Sequence, residues 1–196
     1  MYRLFETIKI SDGKPENLHF HNERFNHSRN LLFGKSDHLR LEEYLNVPED
    51  SRNGIVRCRI IYSDSVISVE FSPYVRAEIK SLKTVDGGSL QYDHKFLDRT
   101  PLLSLIDKNV ADDILIVQNG LITDTSYANI VFTDEERWVT PDTPLLRGTM
   151  RAFLLATGKI FEERIPVNDL SRYTRFRMIN AMLGFDAPLI PVTSII

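Results

Sequence analysis

One lysine sits among aromatic and charged residues in Leu90-Gln91-Tyr92-Asp93-His94-Lys95-Phe96-Leu97-Asp98-Arg99. An amine held against an aromatic wall and near another cation sheds its proton more readily than a solvated lysine, and can then act as a nucleophile. Further on, Asp124 and Asn129 lie just past an Asn119-Gly120 turn. By themselves they read as a turn carboxylate and an edge-strand amide. The run Thr140-Pro141-Asp142-Thr143-Pro144-Leu145-Leu146-Arg147-Gly148-Thr149-Met150-Arg151 enters a helix at Gly148, which permits close backbone approach. Free N–H groups and the positive dipole end there suit an anion such as phosphate, although every helix has such an end. In His21-Asn22-Glu23-Arg24 an arginine occupies the first turn of an early helix. Its fork also suits phosphate, while an exposed helical arginine is the commoner case. His19, His21 and His27 lack a nearby thiolate or well-placed carboxylate, so they read as hydrogen-bonding groups and no metal is expected.

The elements that must position these residues follow from periodicity. Residues 3–10 alternate apolar and polar up to a turn at Ser11-Asp12-Gly13-Lys14-Pro15, the pattern of a strand. A helix is predicted over 22–33, closed by Gly34, and a second over 35–47, stopped by Pro48. Residues 55–62 and 66–71 form a predicted hairpin about Ser63-Asp64-Ser65. Gly87-Gly88 is the expected hinge between two domains, 1–86 and 87–196. A short helix over 98–108 with Pro101 in its first turn, strands over 113–118 and 121–132, and a helix over 149–156 ended by Gly158 complete the second half. The end, 177–191, mixes a strand with a Gly- and Pro-rich turn. Hairpins favour antiparallel pairing, so the expected class is mixed α and β (α+β) rather than a doubly wound sheet.

Composition narrows the role. With 196 residues and 42% hydrophobic content the chain can bury a real core, and disorder is excluded. Lys plus Arg is 24 against 27 Asp plus Glu, without a block of like charge, which gives no support to nucleic-acid or membrane-surface binding. The longest charge-free runs, 114–123 and 187–196, are ten residues each and too short for a membrane span. The N-terminus has no apolar signal segment and Cys58 is the single cysteine, read as a buried strand residue; both fit a cytoplasmic protein.

In order, the chain carries Phe5-Glu6-Thr7-Ile8, His21-x-x-Arg24, Lys95-x-x-x-Arg99, Thr123-Asp124-x-Ser126-x-x-Asn129, Pro144-Leu145-x-x-Gly148-x-x-Arg151, and Asn180-Ala181-x-x-Gly184 ahead of Pro191-Val192. This succession resembles the class IV aminotransferases, pyridoxal-phosphate enzymes of fold type IV, over nearly the whole chain. The resemblance implies a small α/β N-terminal lobe and a larger, mixed, barrel-like C-terminal lobe. It also implies that Lys95 binds the aldehyde of pyridoxal 5′-phosphate and shuttles the substrate's α-proton. Asp124 stands where the family has a glutamate that pairs with the pyridine nitrogen. Arg24, the Thr149 and Met150 amides and the Asn180–Ala181 segment would hold the phosphate, and Asn129 belongs to the same cofactor site.

Within the family, the Lys95-to-Arg99 run and the ending from Ile179 to Gly184 look like the aminodeoxychorismate lyase branch, which releases pyruvate to give 4-aminobenzoate on the folate route. Branched-chain aminotransferases carry a tyrosine five residues after the lysine, and here that position is Thr100. An amino-acid transaminase of branched-chain or D-amino-acid type, and a non-catalytic ligand-binding dimer, are the alternatives. Family members usually carry some further residues ahead of the first motif, so the chain is expected to be N-terminally shortened. Thr7, Lys9 and Arg99 are the expected substrate contacts, and a homodimer acting on a small amino substrate is expected by resemblance.

Overall fold

The computed structural model describes residues 2–196. The chain forms two compact units, one made of the residues up to Arg76 together with His94–Asp98, the other of Ala77–Asp93 with Arg99–Ile196.

The first unit contains β1 (Leu4–Ser11), β2 (Lys14–Pro15), α1 (Leu18–Phe33), β3 (Ile55–Tyr62) and β4 (Val66–Pro73). They make one antiparallel sheet in the order β2-β1-β3-β4. Alternation sends Leu4, Ile8 and Ile10 of β1 and Val56, Cys58, Ile60 and Tyr62 of β3 to one buried face, where Phe25 of α1 joins them. Helix α1 begins four residues earlier than predicted and ends at Gly34, whose φ of 65° lets the chain turn out of the helix.

The second predicted helix, 35–47, does not form. That stretch is irregular, with a single 3₁₀ turn at Leu41–Tyr44. Asparagines of α1 take up its backbone: Leu39 N donates to Asn26 Oδ1 at 3.1 Å, Asn26 Nδ2 donates to Leu39 O at 2.9 Å, and Leu41 N donates to Asn22 Oδ1 at 2.8 Å. Backbone groups committed to side chains are lost to a helical ladder, and Leu41 is buried as an anchor instead.

The second unit contains β5 (Leu82–Asp86), α2 (Thr100–Leu103), β6 (Asp113–Gln118), β7 (Leu121–Thr125), β8 (Asn129–Thr133), β9 (Trp138–Pro141), α3 (Thr149–Ala156), β10 (Phe161–Glu163), β11 (Arg175–Ile179) and β12 (Ile190–Pro191). They build two open sheets, β5-β6-β7 and β10-β9-β8-β11-β12, with the β5–β6 and β9–β10 pairs parallel. The helix predicted over 98–108 shrinks to the four residues of α2. Ser104 Oγ donates to Pro101 O and the Asp107 carboxylate takes the Asn109 N–H, local bonds that compete with helix propagation. The single strand predicted over 121–132 is cut by a tight turn at 126–128, after which β8 joins the other sheet. Every residue of β8 is buried. Ile130 and Phe132 face the core shared with Leu115 and Phe176, while Val131 faces Met150 and Leu154 of α3. Gly87 lies inside this unit, where an added Cβ would come within 2.7 Å of Ile116.

Candidate active site

Lys95 is held by strand addition. Phe5 N donates to Lys95 O at 3.0 Å and Leu97 N donates to Arg3 O at 2.8 Å, with Leu4 opposite Phe96, so residues 94–98 extend the sheet along the edge of β1 that β3 leaves open. The lysine is half-buried, with Nζ 4.7 Å from the centroid of the Phe5 ring. Its neighbour His94 is buried, with Nδ1 3.1 Å from Ser28 Oγ on α1. A short bonded strand fixes an amine far better than a loop would.

Glu6 occupies a position on β1 that alternation sends to the buried face, between Leu4 and Ile8, and it is wholly buried. His21 and Arg24, three residues apart and therefore on one side of α1, both reach it. Glu6 Oε1 accepts from Arg24 Nε at 2.9 Å, Oε2 accepts from Arg24 Nη2 at 2.6 Å, and His21 Nδ1 lies 2.6 Å from Oε2. Burial alone would raise the Glu6 pKa. The Arg24 charge and the bonds from His21 and Arg24 outweigh it and hold the carboxyl down at about 2. His21 moves the opposite way to a simple ion pair. Burial lowers its pKa despite the Glu6 bond, helped by the Arg24 and Lys95 charges, so it serves Glu6 as a neutral N–H donor.

In the second unit the turn between β7 and β8, closed by Thr125 N donating to Ala128 O at 2.9 Å, brings Asp124 and Asn129 together. Asn129 Nδ2 donates to Asp124 Oδ1 at 2.7 Å and to Leu146 O at 2.8 Å, and Leu146 N donates to Asp124 Oδ2 at 2.9 Å. Burial pushes the Asp124 pKa up to about 6 in spite of these bonds. Gly148 packs on the same asparagine: an added Cβ would stand 2.0 Å from Asn129 Oδ1. Thr149 and Met150 follow as the buried first residues of α3. Asn180 lies in the turn after β11, its Oδ1 accepting from Met182 N and Leu183 N at 2.9 Å, with the half-buried Ala181 beside it.

Of the expected substrate contacts, Thr7 lies opposite Arg59 on the sheet face away from α1, and Lys9 pairs with Glu16 at 3.2 Å. Arg99 Nη2 donates to Ser126 O at 2.6 Å within the second unit. The histidines serve in pairs rather than as a cluster. His19 meets Glu23 on the surface, His21 meets Glu6, and His27 stacks on His94. Among the described residues no group of three His, Cys, Asp or Glu gathers as a metal site. Sequence reasoning gave Glu6 no role. Its signal was an ionisable residue in the apolar register Leu4-x-Glu6-x-Ile8-x-Ile10, which demands a buried partner.

The amino-transferase class IV model matches residues 3–195. A protein of uncharacterised function from Haemophilus influenzae is 35% identical over 187 residues, covering 94% of this chain and 100% of that protein. The crystal structure of a candidate 4-amino-4-deoxychorismate lyase from Haemophilus somnus 129PT is 34% identical, with a TM-score of 0.86 over 94% of this chain and 98% of that one. A hypothetical aminotransferase from Mycobacterium tuberculosis, solved in its pyridoxal-phosphate-bound form, shares the fold at 21% identity, with a TM-score of 0.75 over 96% of this chain and 80% of that one. The described residues contain no helix long and apolar enough to cross a membrane. With the motifs in order and the match running almost end to end, the chain belongs to the class IV aminotransferase family, pyridoxal-phosphate enzymes that act on small amino substrates.

Proposed function

We propose that this enzyme is a 4-amino-4-deoxychorismate lyase, releasing pyruvate to leave 4-aminobenzoate. The observation that carries the reading is Lys95, an amine bonded by its backbone to β1 and set over Phe5, in a chain 34% identical to the Haemophilus somnus candidate lyase. Thr100, at the position where branched-chain enzymes carry tyrosine, supports the lyase over that transaminase. A homodimer in the cytoplasm is the proposed working form, by family resemblance.

The residues fit pyridoxal phosphate. Asp124 is a buried carboxylate with both oxygens already oriented and a pKa raised by burial, an environment that a protonated ring nitrogen would neutralise. Gly148 leaves room where any Cβ would collide, ahead of the first amides of α3. When bound, the cofactor supplies an electron sink for negative charge at the substrate's α-carbon. In this reading Asp124 keeps the ring nitrogen protonated, and Asn129 keeps Asp124 in place. Arg24, the Thr149 and Met150 amides and the Asn180–Ala181 turn hold the phosphate. Lys95 Nζ would hold the cofactor at its aldehyde carbon and, with the substrate in place, would take the α-proton as general base. Expulsion of pyruvate is drawn forward by the ring becoming aromatic.

Purified protein mixed with pyridoxal phosphate should hold a yellow absorption band through desalting, and Lys95→Ala should lose it. Aminodeoxychorismate should then yield pyruvate without an added keto acid. Amino transfer that depends on a keto acid would assign a transaminase instead, and a protein that takes up no cofactor would be a non-catalytic binder.

A further inference from the structure

We infer that His94 is a positioning residue for Lys95: its buried ring ties the lysine's segment to α1 and so fixes where the amine stands. This rests on Lys95 being the amine that meets the cofactor.

Two backbone hydrogen bonds join residues 94–98 to β1, from Phe5 N to Lys95 O at 3.0 Å and from Leu97 N to Arg3 O at 2.8 Å. Between them Phe96 N donates to His94 O at 2.8 Å, a γ-turn with Lys95 at its apex. A strand this short opens readily unless side chains hold it. The residues on either side of the lysine do so. Phe96 packs against the core of the first unit. The His94 ring is buried, with Nδ1 3.1 Å from Ser28 Oγ, the His27 ring stacked at 6.4 Å and the Phe96 ring edge-on at 5.9 Å. Lys95 turns the other way, its Nζ over Phe5 at 4.7 Å.

Ser28 completes a polar stripe on α1. His21, Arg24 and Ser28 stand at i, i+3 and i+7, on one side of the helix, with His21 and Ser28 buried and Arg24 partly so. The first two hold Glu6 of β1, and the third holds His94. One helix face thereby sets both the arginine and the lysine segment. A hydrogen bond between two buried side chains adds little net stability, and replacing both partners by apolar groups of the same shape is nearly neutral. What such a bond adds is direction. Misplacing a reacting group by about 1 Å can cost about a hundredfold in rate, so a fixed angle directly behind the amine matters more than its share of stability.

The experiment mixes apoprotein with pyridoxal phosphate and follows growth of the cofactor band, beside urea unfolding of each apoprotein. His94→Phe keeps a ring for the stack on His27 but strips Ser28 Oγ of its His94 partner; it should lose stability and slow band growth about tenfold. Adding Ser28→Ala removes that hydroxyl, so urea stability should return close to wild type while band growth stays at least about fivefold slow. Val56→Ala, in the same core but opposite Ile10 at the other end of β1, should lose stability yet grow the band within about twofold of wild type. A double variant that regains the wild-type rate along with its stability, or a Val56→Ala protein slowed as much as His94→Phe, makes His94 merely structural and overturns the inference, leaving Lys95 in its role. A wild type without a cofactor band, or a band that Lys95→Ala retains, overturns the reading of Lys95 itself.

Discussion

Replacing Glu6 by glutamine keeps the shape of the side chain and removes its charge. In the native protein that carboxylate is out of water and takes three hydrogen bonds, two from Arg24 and one from His21. Burial works against it, but Arg24 and His21 hold it at about 2, against an ordinary 4.5. That difference corresponds to about 3 kcal/mol of folding free energy at neutral pH. Because the folded-state value is depressed, the contribution is complete above pH 4.5 and drains away as pH falls toward 2. Glutamine can accept only through its one carbonyl oxygen, and its amide N–H groups would face donors on Arg24 and His21. Urea unfolding at pH 6 should show Glu6→Gln less stable by about 3 kcal/mol. At pH 3.5 the gap should close to about 2 kcal/mol, since the wild type has begun to lose what the variant never had. A gap that is the same at both pH values, or one below about 1 kcal/mol at pH 6, would refute the assignment of a buried, ionised Glu6.

Gly148→Ala should cost about 1–3 kcal/mol in thermal unfolding and loosen cofactor binding, because its Cβ would strike Asn129 Oδ1. Gly148 has φ −71° and ψ 148°, open to alanine, so an unchanged melting temperature would disprove the packing argument and not a backbone one. Asp124 carries a pKa raised to about 6, so its proton stabilises the apoprotein at low pH and that stability is lost as pH rises from about 4 through 6. Relative to Asp124→Asn, the wild-type apoprotein should lose about 2 kcal/mol between pH 4 and pH 7.5, and saturating pyridoxal phosphate should abolish the loss. The Cys58 thiol, pushed up to about 12 by burial, should react with a thiol reagent at pH 8 only at the rate of unfolding; prompt reaction of the native protein would contradict its place in the core.

What could be read from sequence was what local pattern controls. The alternation in β1 and β3, the Asn119-Gly120 hairpin and the Gly148-to-Gly158 bracket around α3 each carry their own signal, and these elements form within a residue or so of their predicted bounds. Residues 35–47 have helical spacing too, but their backbone is claimed by Asn22 and Asn26 of another element, which no local window can register. The same holds for residues 94–98. Two backbone bonds and one bridge attach them to β1, far back in the chain, and nothing in their own sequence marks an added strand.

The site shows the same division between residue type and residue partner. Asp124 and Asn129, read singly, are turn residues; their meaning lies in Asn129, whose one side chain fixes three things. Its Nδ2 holds the Asp124 carboxylate and the Leu146 carbonyl, while its Oδ1 fills the space that a Cβ at 148 would need. The loop that delivers the first amides of α3 is therefore tied to the carboxylate at the end of β7, and neither can shift without the other. That coupling also bears on the missing methylene of Asp124. Leu146 N donates to Asp124 Oδ2, so the loop backbone stays with the shorter side chain and the carboxylate is held at both oxygens. If Asp124 meets the ring nitrogen and the first amides of α3 meet the phosphate, as proposed, Asn129→Ala should weaken both contacts together, a pairing that separate measurements of ring protonation and cofactor affinity can resolve.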